Sequence, residues 1–144
     1  MDNLLLYKML SCISEKHTPF FLQVEGNSMW PVIASGQTVH FQRRESYKVG
    51  DIALFLYKKT ELIVHRILKI EDDIYYCKGD NSLRIEDVNS HSIFGIAMLE
   101  EDVHNNPRFI SDSWEIGQLF RKMKYNRTAV YLTAQYRDYE LKYL

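Results

Sequence analysis

The chain has 144 residues, 46% of them hydrophobic, and a formal net charge of −1. The length makes one domain the default, and the apolar share is enough for a core. The charge balance excludes a global attraction to nucleic acid, and the best apolar stretch, residues 4–10, falls far short of the roughly 20 residues a membrane helix needs.

In chain order, residues 2–14 predict a short amphipathic helix. Leu5, Leu6, Met9, Leu10 and Ile13 fall at helical spacing, and Thr18-Pro19 ends it. From residue 20 to about 102 the pattern turns to short strands, at 20–24, 38–41, 52–57, 62–68, 73–77 and 92–99. Gly36, Gly50, Lys58-Lys59, Asp72-Asp73 and Gly79 punctuate them, and residues 78–87 read as a polar loop. Strands at this spacing predict a mainly β fold, a compact barrel or sandwich. Residues 103–112, with Asn105-Asn106-Pro107, read as a connector. A helical tail follows, with one stripe through Trp114, Gly117, Leu119, Phe120 and Met123 and another through Val130, Leu132, Tyr136 and Leu141. The expected organisation is a β-core with its N-terminal helix over 1–102, and a connector and tail over 103–144. The tail is packed on the core or used for self-association or a protein partner.

Cys12 and Cys77 match no zinc spacing and make no disulfide framework, so they read as reduced thiols, at least one of them buried. No metal or cofactor is implied. Arg43-Arg44 and the group Arg121, Lys122, Lys124, Arg127 read as solvated surface. Residues 4–10 also lack the basic leader and small-residue cleavage site of a signal peptide. The expectation is a chain without stable membrane insertion, cytoplasmic or held at a membrane by a partner.

One serine stands in a distinctive setting, Gly26-Asn27-Ser28-Met29-Trp30-Pro31. A serine hydroxyl attacks a carbonyl only with a base in hydrogen-bond reach, and a third group usually orients that base. Histidine titrates in the right range. Of the five histidines, His17 is beside a helix end, His40 lies on a predicted strand, and His91 and His104 are in polar surroundings. His65 differs, because with Arg66 it interrupts the apolar run 62–68. An edge-strand histidine facing water is the plain alternative. The orienting acid is open among Asp80, Glu86 and Asp87, all in the segment that reads as a loop.

Four segments together resemble the signal peptidase I superfamily, which also holds the self-cleaving LexA-like repressors. They are the box at 26–31, Gly50-Asp51-Ile52, His65-Arg66 and Gly79-Asp80-Asn81, in the superfamily's order and covering about residues 22–98. The resemblance implies a signal-peptidase/LexA-like β-barrel core and a soluble serine endopeptidase acting on a leader or precursor peptide. It is similar to the endoplasmic-reticulum and archaeal type, which places histidine where bacterial and LexA-like members place lysine. By that likeness Ser28 is the nucleophile, His65 the base, and Asp87 or else Asp80 the orienting acid, with Glu86 a further candidate. Asn27, Met29, Trp30 and Pro31 would shape the oxyanion site and the rim of the substrate groove. The chain departs from signal peptidases at Gly26, where a serine is common, which leaves the oxyanion to the Ser28 N–H or the Asn27 amide. It also departs in the expected lack of an anchor. The competing readings are a LexA- or UmuD-like self-cleaving regulator and a non-catalytic peptide-binding module.

Overall fold

The computed structural model describes residues 8–12, 18–99 and 106–133. Residues 8–12 are helical, and Leu10 is buried. The rest of the expected first helix, His17, His104, Tyr136 and Leu141 lie outside the described residues.

Among the described residues there are seven strands: β1 Phe20–Val24, β2 Gln37–Gln42, β3 Ile52–Tyr57, β4 Glu61–Glu71, β5 Ile74–Lys78, β6 Ile85–Asn89 and β7 Ile93–Ala97. They form one sheet in the order β1-β2-β7-β3-β4-β5-β6, every pair antiparallel, curled into a half-barrel. Bulges between Leu54 and Phe55 and between Ile67 and Lys69 bend β3 and β4. Six strands fall where the sequence expects them. The seventh, β6, lies in the segment read as a loop.

The apolar run of β3 follows from its central place. Successive side chains of a strand point to opposite faces. Ile52 and Leu54 join one buried cluster with Met29, Ile33, Val39, Phe41 and Phe94. Ala53 and Phe55 join another with Ile67, Cys77, Val88 and Ile93. A strand covered on both faces has no position left for water, so its sequence does not alternate. Cys77 sits in the second cluster, where burial pushes its thiol well above the ordinary range, and Cys12 is exposed; both are free.

Two helices, α1 Ser111–Lys122 and α2 Arg127–Leu132, complete the described fold. The Asn126 side chain accepts the Ala129 N–H at 3.0 Å and starts α2. Ile116 of α1 meets Leu83 and Val130 in a third cluster. Trp114 stands edge-on to Tyr76, and Arg121 reaches the Asp87 carboxylate at 3.0 Å. No helix among the described residues is long and apolar enough to cross a membrane.

Candidate active site

Ser28 lies in the turn after β1. Gly26 has φ +88°, in the left-handed region that favours glycine, although the space around it is open. Its N–H donates to Ser35 Oγ at 3.0 Å. The Met29 carbonyl accepts the Ile33 N–H at 2.8 Å, and the Met29 side chain is 1% exposed. Ser28 is thereby held between a backbone that only glycine adopts easily and an apolar anchor in the core.

His65 is on β4, paired with Ala53 of β3. Its side chain is 9% exposed, and its Nε2 lies 3.1 Å from Ser28 Oγ. Its Nδ1 lies 2.5 Å from Glu86 Oε1, and Glu86 is fully buried on β6. Arg84 donates to the other Glu86 oxygen at 3.4 Å and to Glu61 at 3.4 Å. Glu86 pairs with Cys77, and Cys77 with Ile67, two residues beyond His65 on the same strand. Strand periodicity therefore puts His65 and Glu86 on one face.

The sequence leaned to Asp87 as the acid beside the base, and here the structure differs. Asp87 is the next residue on β6, so it points to the opposite face, is exposed and pairs with Arg121. Asp80 also lies elsewhere, with both oxygens at 2.8 Å from the Arg66 guanidinium. Arg66 further donates to the Gly50 carbonyl at 2.9 Å and stacks over Phe109 at 5.2 Å, and both members of the ion pair are buried. The histidine-arginine box thus splits its work between faces. His65 turns to Ser28, and Arg66 ties down the Gly50-Asp51 and Gly79-Asp80-Asn81 boxes.

That last loop clamps the serine turn. The Asn81 N–H donates to the Ser28 carbonyl at 2.8 Å, the Asn81 amide to the Asn27 carbonyl at 3.0 Å, and the Asp80 N–H to Met29 Sδ at 3.4 Å. Gly79 is required by closeness. A Cβ there would lie 2.6 Å from the Ser28 carbonyl oxygen and 2.9 Å from His65 Nε2.

A hollow of about 420 Å³ opens beside Ser28 and His65. Its walls are Leu22 and Val24 of β1, and Leu62 and Val64 of β4, with Glu25, Glu61 and Arg84 among its polar groups. The expected rim of Met29, Trp30 and Pro31 does not line it. Met29 is core, and Pro31, after a cis peptide bond from Trp30, lines a separate hollow with Phe21, His40 and Phe109. Asn27 serves the site through its backbone carbonyl, which Asn81 and the Trp30 N–H share.

A protein-family profile described as Peptidase S24-like matches residues 5–98, a span that holds Ser28, His65 and Glu86 and stops before α1. The chain is 36% identical over 84 residues to the signal peptidase complex catalytic subunit SEC11 of Lodderomyces elongisporus, covering 54% of this chain and 50% of that protein. The SEC11 of Candida tropicalis gives the same figures, and that of Candida albicans is 34% identical over the same length and shares. The chain spans about half the length of these relatives. No solved structure gives a significant match. With the family profile covering most of the chain and all four boxes, the chain belongs to the Peptidase S24-like family.

Proposed function

We propose that the chain is a signal-peptidase-type serine endopeptidase in which Ser28 is the nucleophile, His65 the base and Glu86 the orienting acid. The observation that carries this reading is the line Ser28 Oγ, His65 Nε2, His65 Nδ1, Glu86 Oε1, with links of 3.1 and 2.5 Å. A buried carboxylate at Nδ1 holds the ring proton there and leaves Nε2 as the acceptor. Nε2 takes the Ser28 proton as Oγ adds to a peptide carbonyl. The imidazolium then gives that proton to the departing amine, leaving an acyl-enzyme. Water, deprotonated by the same nitrogen, releases the acid and restores Ser28. The Ser28 N–H has no protein partner among the described residues and is the donor offered to the oxyanion.

The hollow fits an extended peptide. Among the described residues β1 ends the sheet, with one of its edges unpaired. Among the described residues the first part of β4 pairs with β3 alone, because β5 joins only from Arg66 onward. Two strand edges with spare N–H and C=O groups therefore border one apolar trough, the arrangement that accepts an added strand. A leader or precursor peptide is the proposed substrate. A protein partner is proposed by likeness to SEC11, which is named as a subunit of a complex.

A fluorophosphonate probe separates an enzyme from a peptide-binding module on this fold. The expected result is labelling of wild type, none of Ser28→Ala and weak labelling of His65→Ala. Equal labelling of all three would remove Ser28 from the role.

A further inference from the structure

Lys78 is a fully buried cation that this chemistry does not use. It leaves β5 on the face opposite Cys77, the face that α1 covers. A Cβ on Gly117 of α1 would meet Lys78 Cδ at 3.3 Å and Ile85 Cδ1 at 2.4 Å. The ammonium donates to the Gly79 carbonyl at 2.9 Å. No carboxylate among the described residues forms an ion pair with it, because Asp80 is engaged by Arg66 and Glu86 by His65 and Arg84. Burying an ammonium on a neutral acceptor is unfavourable, and a methionine would fill the same space. Packing alone does not account for a lysine here.

We propose that Lys78 is a positioning residue of the site, fixing the Gly79 backbone between Ser28 and His65. The inference rests on the Ser28, His65 and Glu86 reading. A Cβ on Gly79 would crowd both the Ser28 carbonyl and the His65 ring, so this backbone lies between them and a donor on its own carbonyl fixes the gap. Asp80 and Glu86 are the carboxylates that attract the ammonium. Arg66, its partner across β4 and β5, is bound to Asp80, and Arg121 of α1 is spent on Asp87 and the Ile85 carbonyl. A change of charge at Lys78 alters its bond to the Gly79 carbonyl, and Gly79 sits against the His65 ring. By covering Lys78, α1 belongs to the support of the site although it lies outside the family match.

Burial pushes the Lys78 ammonium down from 10.5 to about 8, against the pull of Asp80 and Glu86. Between those values the unfolded lysine binds more protons than the folded one, so folding stability rises with pH across that window. The test is an NMR titration of the full chain with ε-¹³C-lysine and labelled histidine, repeated in Lys78→Met. The His65 ring signals are expected to show a second inflection at the pH where Lys78 titrates. Lys78→Met is expected to abolish that inflection. It is also expected to lower kcat on a peptide roughly tenfold with KM nearly unchanged. A Lys78 titration that leaves the His65 ring unmoved overturns the proposal, as does a Lys78→Met variant with wild-type kcat. The NMR readings need no substrate, so they stand apart from failure of the Ser28 reading. If Lys78→Met does not fold, the wild-type titration decides.

Discussion

Glu86→Gln is expected to lower kcat/KM on a leader peptide by roughly 10³–10⁴, while Asp87→Asn leaves it within about twofold; neutralising the orienting acid of a Ser-His-Asp triad has an effect near the top of that range. The reason is the tautomer. Arg84 sits on the second Glu86 oxygen and donates to it at 3.4 Å. In Glu86→Gln that donor keeps the amide oxygen and turns the NH₂ toward His65 Nδ1. The ring must then carry its proton on Nε2, the nitrogen that should accept from Ser28. Asp87 faces the other way and pairs with the partly exposed Arg121, a contact worth little. Kinetics of the two variants against wild type check the assignment. A large loss in Asp87→Asn with none in Glu86→Gln would reverse it.

The second large effect is on stability. Asp80→Ala is expected to cost about 3–5 kcal/mol, because it leaves the Arg66 guanidinium buried without its carboxylate. That is a large part of the roughly 5–15 kcal/mol by which such domains are stable. Replacing both partners, Arg66→Met with Asp80→Leu, is expected to cost less than the two single changes summed, since no charge is then left alone. Urea unfolding of the four proteins measures this. Strict additivity would show that the pair does not act as a unit.

How much of this was legible in the sequence follows from where each side chain gets its surroundings. The runs that became β1 to β5 and β7 are long enough, and apolar or β-branched enough, to declare themselves. β6 does not. In Ile85-Glu86-Asp87-Val88-Asn89 the apolar residues are three apart, so the period of two is hidden, and the buried position between them carries a carboxylate that meets His65. Missing that strand left Glu86 and Asp87 as neighbours in a loop, with the lean to Asp87. Once β6 pairs with β5, one residue of register sends them to opposite faces. Ser28 and His65, which the structure brings to 3.1 Å, stood out because each breaks its local pattern, a serine in a glycine-proline turn and a histidine in an apolar strand. The groove was not. Its walls come from β1 and β4, far apart in the chain, and Met29 beside the serine reads as a rim residue until the core closes over it.

The acyl-enzyme tests the central claim most directly. Mass spectrometry of the protein quenched during turnover of an activated peptide ester is expected to show the acyl mass on the fragment containing Ser28. It is expected to show none in Ser28→Ala, and a slower build-up in His65→Ala. Hydrolysis that persists in Ser28→Ala, or an adduct on another residue, would contradict it.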